Sequence, residues 1–307
     1  MQSSDGRRLL ICHLREARRR ARAVAEAELL SLLEDLGGAR LEGGPLAEQR
    51  GLFRVTMPAS TFPAAVPRLS RLGYTDAVDV LEVLESGIGH RAAPPLRWRG
   101  RHYRLVRVYE EDPAELRERT VDRRAFLLAT AAGVRSVRGY RGSGAALGRR
   151  GLPVVDARML VNLLGGAACG VLLDPFAGAG GIVIEAVAAG WRCLSMDRDP
   201  ALRFGLSAIG GRHCIADVCV LPLAPASVDA IATEPPYEPE GQDAMLGGLA
   251  ELHRVLRPGG RATLLCAQWQ APAIRARAVS AGFQMVLEAP IDRKGLPVVV
   301  FAWQKPP

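Results

Sequence analysis

A glycine-rich segment in the second half of the chain has the residue types and spacing of a cofactor-binding loop. The segment Asp174–Gly181 reads D-P-F-A-G-A-G-G, follows a short apolar run and precedes an apolar stretch with helical spacing. Glycines there let the backbone turn tightly and approach a ligand closely, and free N–H groups at a helix start favour an anionic group. NAD and FAD use the same geometry, but their segment reads G-x-G-x-x-G and does not open on an acidic residue. The sequence therefore predicts cofactor-binding residues at Asp174, Phe176, Gly178 and Gly180.

Two more carboxylates follow predicted strands downstream of this loop. Asp197 comes 23 residues after Asp174, at the end of the next apolar run, where a carboxylate can accept hydrogen bonds from both hydroxyls of a ribose. The position also fits NAD, and the neighbouring Asp199 is better explained as a helix cap. Asp217 follows the third run. We expect it near the amino group of an adenine, with a loop or cap carboxylate as the alternative.

A proline-rich segment after the fourth apolar run carries the residues that we expect to act on a substrate. Thr233–Tyr237 reads T-E-P-P-Y. The prolines stiffen the loop and remove backbone donors, which leaves carbonyl groups to accept from a substrate amine, and the tyrosine offers a face on which a flipped base can stack. Because ligands of open α/β sheets bind at the carboxyl ends of the strands, this loop should face the same crevice. The alternative is a structural turn with a packed tyrosine, and the predicted catalytic residues are Glu234, Pro235, Pro236 and Tyr237.

Taken in order, these segments resemble the amino-methyltransferases among the class I S-adenosylmethionine-dependent enzymes, whose fourth motif reads D/N/S-P-P-Y/F/W. The likeness is greatest to the tRNA guanine-N2 methyltransferases, in which D-P-F-x-G-x-G-G precedes I-x-I-E-A, as it does at Ile182–Ala186. Val155–Leu163 and Glu251–Gly260 are also similar to the family's helix before strand one and to its helix and turn before strand five. The likeness covers residues 120–305 well and the first part of the chain only in outline.

The resemblance implies S-adenosylmethionine as the cofactor, RNA (tRNA above all) as the partner, and methylation of an exocyclic amino group, guanine N2 in the first place. It also implies that residue 234 and the following backbone carbonyl accept hydrogen bonds from the target amine. The chain departs from the family at Glu234, where aspartate is usual, and at Glu238, where glycine is usual. The added methylene at position 234 moves the acceptor by about 1 Å, which can cost on the order of a hundredfold in rate.

The elements that position these residues alternate between helices and short apolar strands, as in a parallel doubly wound sheet. The predicted fold class is α/β, with a C-terminal Rossmann-like class I methyltransferase sheet over residues 154–307. We expect strands at 170–174, 192–196, 213–216, 228–233 and 262–266, a closing pair at 284–289 and 298–303, and helices at 157–164, 182–189, 200–209 and 244–256.

The first 93 residues predict an N-terminal α+β domain of the ferredoxin-like type, which we interpret as RNA-binding. The pattern is strand, helix, strand, strand, helix, strand, with both helices on one face of an antiparallel sheet. Its strands are expected at 9–14, 39–42, 52–57 and 75–84, and its helices at 16–36 and 60–72. Residues 94–153 are expected to be a basic connecting region, with a hairpin over 98–109, a helix over 112–131 and a flexible glycine-rich stretch.

The charge is distributed unevenly between the two halves. Residues 1–150 contain 27 arginines and 18 acidic residues, a net charge of +9, whereas residues 151–307 contain 13 basic and 14 acidic residues, a net charge of −1. A compositional bias explains why most of the basic residues are arginine and few are lysine. It does not explain why the excess of basic residues lies in the first half of the chain. The asymmetry predicts a polyanion-binding module joined to a neutral one.

Other features exclude several classes of protein. No apolar stretch approaches the roughly 18 to 20 residues of a membrane span, and the run 9–14 is too short for a signal peptide, so we expect a cytoplasmic protein without a membrane partner. The six cysteines form no C-x-x-C pair and are expected to be buried free thiols. Cys214, Cys219 and His213 lack the spacing of a zinc site, so no metal is predicted.

Several alternatives stay open at this point. The substrate could be DNA (adenine N6 or cytosine N4) or a small amine, and the protein could bind cofactor or RNA without turnover, since residue 234 is glutamate. An NAD-dependent oxidoreductase is a more distant alternative. A small activating protein subunit and a homo-oligomer are both compatible with the sequence.

Overall fold

The computed structural model describes residues 6–18, 21–84, 96–98, 101–120, 125–131, 133–138, 152–166, 170–293 and 295–307. These residues form a six-stranded antiparallel sheet, a seven-stranded mixed sheet and a separate two-stranded hairpin. The start of the expected connecting region at residues 94–95, the glycine-rich residues 139–151 and Cys169 lie outside the described residues.

The six-stranded sheet is built from the first 110 residues. Its elements are β1 (Arg7–Leu14), α1 (Arg22–Leu33), β2 (Ala39–Arg40), β3 (Leu52–Pro58), α2 (Phe62–Leu69), β4 (Thr75–Val83), β5 (Leu96–Trp98) and β6 (Arg101–Glu110), with short 3-10 helices at Glu16–Arg18 and Glu34–Leu36. The strand order is β2-β3-β1-β4-β6-β5. The elements up to β4 have the predicted order, and β5 and β6 extend the sheet beyond it. The assignment to a ferredoxin-like domain stays a prediction.

Residues of β1 alternate between two apolar environments, as expected for a strand covered on both faces. Leu10 and Cys12 pack in the core that contains Leu29 and Leu32 of α1. Ile11, between them in sequence, belongs to a small cluster on the opposite face. This alternation explains why residues 9–12 read as an unbroken apolar run.

The region that follows β4 contributes two strands to the first sheet. The expected hairpin over 98–109 is formed by β5 and β6, but it belongs to the first sheet because β6 pairs with β4. The helix α3 (Pro113–Thr120) begins as expected, with Asp112 Oδ1 accepting from the Ala114 N–H at 2.8 Å.

The prediction that this helix continues to residue 131 is wrong. β7 (Ala125–Thr130) and β8 (Gly133–Arg138) pair as an antiparallel hairpin instead. Gly133 adopts φ +112°, which a tight turn needs and a helix interior does not allow. The hairpin includes the first part of the stretch that we expected to be flexible.

The seven-stranded sheet lies in the second half of the chain. Its strands are β9 (Val171–Asp174), β10 (Arg192–Asp197), β11 (Arg212–Ile215), β12 (Val228–Thr233), β13 (Leu256–Ala267), β14 (Gln284–Arg293) and β15 (Leu296–Gln304). The helices are α4 (Val154–Asn162), α5 (Gly181–Ala188), α6 (Arg203–Ala208) after a 3-10 turn at Pro200–Leu202, α7 (Pro239–Val255) and α8 (Ala271–Ser280).

The strand order is β11-β10-β9-β12-β13-β15-β14, and the first five strands are parallel. β15 runs antiparallel to both β13 and β14. The predicted Rossmann-like α/β sheet is therefore confirmed. Since β9, β10 and β12 are parallel, their last residues, Asp174, Asp197 and Thr233, lie at the same edge.

Two helices of this half differ from their predicted extent. α7 begins at Pro239, five residues before the predicted start at 244, because proline is favoured in the first turn. α8 was not predicted, although Pro272 lies in its first turn and Gly282 follows its end with φ +100°.

The two halves share one continuous core. Leu29 and Leu32 of α1 belong to the same buried cluster as Met159 and Leu160 of α4. A buried carboxylate, Glu28, adds a polar contact, since its Oε1 accepts from Asn162 Nδ2 at 2.7 Å. Packing of this kind holds the first unit against the second, and the domain boundaries at 93 and 153 stay predictions.

Only some of the cysteine thiols are buried, whereas the sequence predicts burial for all of them. Cys12, Cys193 and Cys266 are buried, but Cys214 and Cys219 are exposed. The reason is that β11 is the edge strand of its sheet, and Cys219 lies in the loop beyond it. No helix within the described residues has the length and apolar character to cross a membrane.

Candidate functional site

The predicted cofactor loop turns from the end of β9 into α5 through two glycines with positive φ. Gly178 has φ +51° and Gly180 has φ +78°. A Cβ atom at Gly180 would lie 2.0 Å from Ile209 Cδ1, the movable end of a side chain, so it is the positive φ that favours glycine there. A Cβ at Gly178 would meet only Phe176 O, at 3.9 Å, so this glycine borders open space that a ligand can enter.

Asp197 lies directly beside this loop, as its position after β10 predicts. Its Oδ2 accepts from the Gly178 N–H at 2.8 Å, and its Oδ1 accepts from the Asp199 N–H at 2.9 Å. Asp199 in turn accepts from the Ala201 N–H, which is the capping role expected for it. The carboxylate of Asp197 is therefore fixed in orientation at the carboxyl end of β10.

Asp174 is buried between the glycine loop and the end of β12. Its Oδ1 accepts from Thr233 Oγ1 at 3.1 Å and from the Phe176 N–H at 3.3 Å. Burial raises the pKa of Asp174 to about 8, and the carboxylates of Asp197 and Glu234 act in the same direction. Asp174 thus joins the two predicted loops and carries a proton near neutral pH.

Asp217 follows β11, two strands away from β9 on the same edge of the sheet. Its side chain is exposed, and Oδ1 accepts from the Cys219 N–H at 2.8 Å. This contact is the loop interaction that was the alternative at this position. The proposed contact with an adenine stays a prediction.

The T-E-P-P-Y segment leaves β12 with Glu234 and Tyr237 in direct contact. The Tyr237 hydroxyl donates to Glu234 Oε1 at 2.5 Å, and Arg293 Nη1 donates to the same oxygen at 2.7 Å. Arg293 Nη1 also lies 2.8 Å from the Tyr237 hydroxyl. Burial raises the pKa of Glu234, whereas Arg293 and Tyr237 lower it. One oxygen of the predicted catalytic carboxylate is thus anchored by two donors.

The prolines of this segment are held by a residue that sequence reasoning missed. Gln270 is fully buried, and its Nε2 donates to the Pro236 carbonyl at 3.0 Å. Its Oε1 accepts from the Ala267 N–H at 3.0 Å. Pro235 is buried and Pro236 is exposed. The loop therefore has a fixed shape, and the carbonyl of Pro236 is already engaged within the protein.

Arg293 and Asp156 were also missed as members of the site. Arg293 Nε pairs with Asp156 Oδ2 at 3.0 Å, and Asp156 is fully buried in α4. A weak signal existed, since Asp156 is a carboxylate inside an apolar helical run and a buried carboxylate requires a partner. Nothing in the local sequence identifies that partner as Arg293.

Solved structures of methyltransferases are similar to about half of the chain, although no family model matches the sequence. One is geranyl diphosphate C-methyltransferase from Streptomyces coelicolor with Mg²⁺, geranyl diphosphate and S-adenosyl-L-homocysteine (14% identity, 49% of this chain and 78% of that chain, TM-score 0.42). Another is 1,6-didemethyltoxoflavin-N1-methyltransferase from Burkholderia thailandensis with bound 1,6-didemethyltoxoflavin and S-adenosylhomocysteine (23% identity, 49% and 78%, TM-score 0.39).

A third similar structure is a complex that contains the Trm112 methyltransferase activator of Haloferax volcanii (14% identity, 49% of this chain and 88% of that chain, TM-score 0.42). The likeness in all three cases covers about half of this chain, with TM-scores below 0.5.

A separate cleft of about 690 Å³ lies between the two halves, away from these loops. Arg71, Tyr109, Glu115, Arg158 and Glu185 are among its lining residues. The residues that line it do not include any of the predicted site residues. The candidate active site is the carboxyl edge of β9, β10 and β12, where hydrogen bonds join Asp197 to the glycine loop and Thr233 to Asp174.

Proposed function

We propose that this chain is an S-adenosylmethionine-dependent methyltransferase that acts on an exocyclic amino group of a nucleic-acid base, in the first place guanine N2 in tRNA. The observation that carries the proposal is the 3.1 Å hydrogen bond from Thr233 Oγ1 to Asp174 Oδ1. It joins the start of the T-E-P-P-Y segment to the start of the glycine loop. An amine held by the first segment would lie beside a cofactor held by the second.

The residues of the glycine loop fit S-adenosylmethionine. The open space at Gly178 admits a ligand close to the backbone, and Asp197 stands at the end of β10 with a fixed carboxylate suited to a ribose. The Asp197 carboxylate, and that of Asp174 once it loses its proton, favour a cationic ligand. When bound, S-adenosylmethionine supplies a methyl group activated by a positively charged sulfur.

Glu234 is the acceptor for the target amine in this proposal. Its Oε1 is anchored by Tyr237 and Arg293, and Oε2 has no partner among the described residues. Oε2 can accept one N–H of the amine while the Pro235 carbonyl accepts the other. These two contacts aim the nitrogen lone pair, and such positioning supplies most of the rate in a displacement reaction.

Tyr237 has a second role beyond the predicted stacking. Its hydroxyl orients Glu234, and its ring packs partly buried against the main core. A ring held at both ends is a rigid surface for a flipped base. The stacking role stays part of the proposal.

The nucleic-acid substrate is supported by the charge of the first half. Residues 1–150 carry the net charge of +9, whereas the half with the chemistry is close to neutral. A basic module can bind phosphates while the site acts on one base. Four arginines of the glycine-rich stretch, Arg138, Arg141, Arg149 and Arg150, belong to this basic excess. Residues 141, 149 and 150 and the side chain of residue 138 lie outside the described residues.

Methyl transfer to tRNA tests the proposal directly. Purified protein with methyl-labelled S-adenosylmethionine is expected to label tRNA from a deletion strain, and mass spectrometry of the nucleosides should show N2-methylguanosine. DNA and a panel of small amines serve as competing substrates. Labelling of DNA or of an amine alone would overturn the tRNA assignment, and no labelling of any acceptor would overturn the enzymatic one.

Binding of S-adenosylmethionine is expected to release about one proton near pH 7. Without ligand Asp174, with its pKa of about 8, is mostly protonated at this pH, and a bound cation lowers the pKa. The cofactor affinity should therefore rise with pH up to about 8 and level off above it. Calorimetry in two buffers of different ionisation enthalpy measures the release. The Asp174→Asn variant should lose it, and equal heats in both buffers for the wild type would contradict the expectation.

The Asp197→Asn substitution is expected to weaken S-adenosylmethionine binding about 10- to 100-fold, because a charged acceptor is lost both to the ribose and to the Gly178 N–H. Calorimetry gives the dissociation constant. Asp199→Asn is the matched control and should change it less than about twofold, since asparagine caps a helix as well as aspartate does. Similar losses in both variants would mean that Asp197 only supports the loop.

One observation favours a second candidate function. The Arg293 guanidinium contacts the carboxylate that the target amine needs, which is compatible with a protein that binds cofactor or RNA without turnover. Steady turnover by the wild type would exclude this candidate. Tight cofactor binding without labelling of any acceptor would favour it.

A further inference from the structure

A buried ion cluster extends from the T-E-P-P-Y segment into the protein. Arg293, at the end of β14, lies between two carboxylates: its Nη1 donates to Glu234 Oε1 at 2.7 Å and its Nε pairs with Asp156 Oδ2 at 3.0 Å. The side chain of Arg293 is 12% exposed, and that of Asp156 is 0% exposed. The cluster therefore starts at the proposed amine acceptor and ends in the interior.

Asp156 is held from the other side by two residues of the first half. Arg18 Nη2 donates to both of its oxygens, at 2.9 and 3.1 Å, and the Tyr74 hydroxyl donates to Oδ1 at 2.7 Å. The Arg18 guanidinium also lies over the Tyr74 ring, 5.3 Å from its centre. With these contacts and that of Arg293, the orientation of Asp156 is fully determined.

The charges of the cluster balance. Arg18 and Arg293 are cations, and Asp156 and Glu234 are anions that alternate with them along the same chain of contacts. A buried ion pair is stable only with all of its partners in place, because an unpaired charge in the interior is costly. A change at Arg18 therefore alters how firmly Arg293 is held, and Arg293 is one of the two donors on Glu234.

We infer that Arg18 and Tyr74 are positioning residues for Glu234, which they reach through Asp156 and Arg293; this inference rests on the proposed function of Glu234 as the amine acceptor. The first half of the chain then does more than bind a polyanion. It holds the acceptor carboxylate in position beside the glycine loop. The glutamate side chain at position 234 is long enough for Oε1 to contact Arg293 while Oε2 stays available to the substrate amine.

Hydrogen–deuterium exchange of the full chain tests the inference without any substrate. In the Arg18→Met variant the amides of Glu234, Tyr237 and Glu238 are expected to exchange about tenfold faster than in the wild type, and in Tyr74→Phe about threefold faster, because one fixed contact of Asp156 is lost. Tyr74→Phe keeps the aromatic ring, so the exchange rates can be measured in this variant even if Arg18→Met does not fold. Arg68→Met, which removes an ion pair with Asp35 in the same half but outside the cluster, is the matched control and should leave these amides unchanged.

Unchanged exchange of the segment in Tyr74→Phe, or equal acceleration in Arg68→Met, would overturn the inference. Where the wild type methylates an acceptor, Tyr74→Phe should lower kcat while the KM for S-adenosylmethionine stays constant, since the cofactor loop lies outside the cluster. A smaller folded fraction would also lower the apparent kcat at constant KM, so kcat is expressed per cofactor-binding site counted by calorimetry. If the wild type shows no methyl transfer, that result counts against the proposed function. The exchange experiment needs no substrate and still tests the positioning role of Arg18 and Tyr74.

Discussion

Replacing Asp156 by alanine is expected to lower the free energy of unfolding by about 3 to 5 kcal/mol. The carboxylate is fully buried and is the shared partner of Arg18, Tyr74 and Arg293. Without this carboxylate the buried guanidinium groups of Arg18 and Arg293 repel each other, and neither can easily move out into solvent. Arg293 keeps Glu234 as a partner, whereas Arg18 loses a carboxylate whose two oxygens it contacts. Urea unfolding followed by circular dichroism measures the loss.

Two variants separate the charge effect from the loss of volume. Asp156→Asn keeps the shape and some of the hydrogen bonds, so it should be less destabilising than alanine while still leaving the cluster with an excess of positive charge. Asp35→Ala removes the partner of Arg68 at a site where the carboxylate is 42% exposed, and it should cost less than about 1 kcal/mol. Equal losses for Asp156→Ala and Asp35→Ala would show that the buried cluster contributes nothing beyond an exposed pair.

The sequence predicted the parts of the site that depend on local order. β12 ends at Thr233 as expected, because a short run of apolar residues followed by a charged and proline-rich segment is typical of a buried strand that leads into a loop. The same holds for Asp174 and Asp197, which stand at the ends of neighbouring parallel strands. Once the strands are parallel and adjacent, their last residues must lie at one edge.

Contacts between segments that are far apart in the sequence could not be predicted from local sequence patterns. Arg293 is the last residue of an exposed edge strand, and nothing in its neighbourhood distinguishes it from the other arginines of the chain. Its role depends on tertiary contacts, because two strands lie between β14 and β12 in the sheet and yet the Arg293 side chain reaches Glu234 and Asp156. The same limit explains why residues of the β7–β8 hairpin were predicted to be part of a helix. Its Leu and Ala residues favour a helix locally, whereas pairing across Gly133 makes them strands.

The Glu234→Ala substitution is expected to reduce methyl transfer at least about a hundredfold, with little change in the dissociation constant of S-adenosylmethionine. Alanine removes the oxygen that orients the amine and leaves Arg293 without its partner near the substrate. Arg293 keeps Asp156, so the fold should survive. Initial rates with labelled cofactor, together with calorimetry on the same samples, measure the two constants. Glu238→Ala, four residues further along the chain and exposed, is the matched control and should retain most of the activity.

Glu234→Asp distinguishes an adapted site from an impaired one. Aspartate is the usual residue in the enzymes that the motif resembles, yet here it would draw the carboxylate back by about 1 Å and lose the contacts with Arg293 and Tyr237, so the rate should fall on the order of a hundredfold. A higher rate in Glu234→Asp than in the wild type would show the opposite, namely that glutamate weakens the enzyme. The expected fall follows from the geometry, because Arg293 and Tyr237 meet the carboxylate where a glutamate, and not an aspartate, reaches.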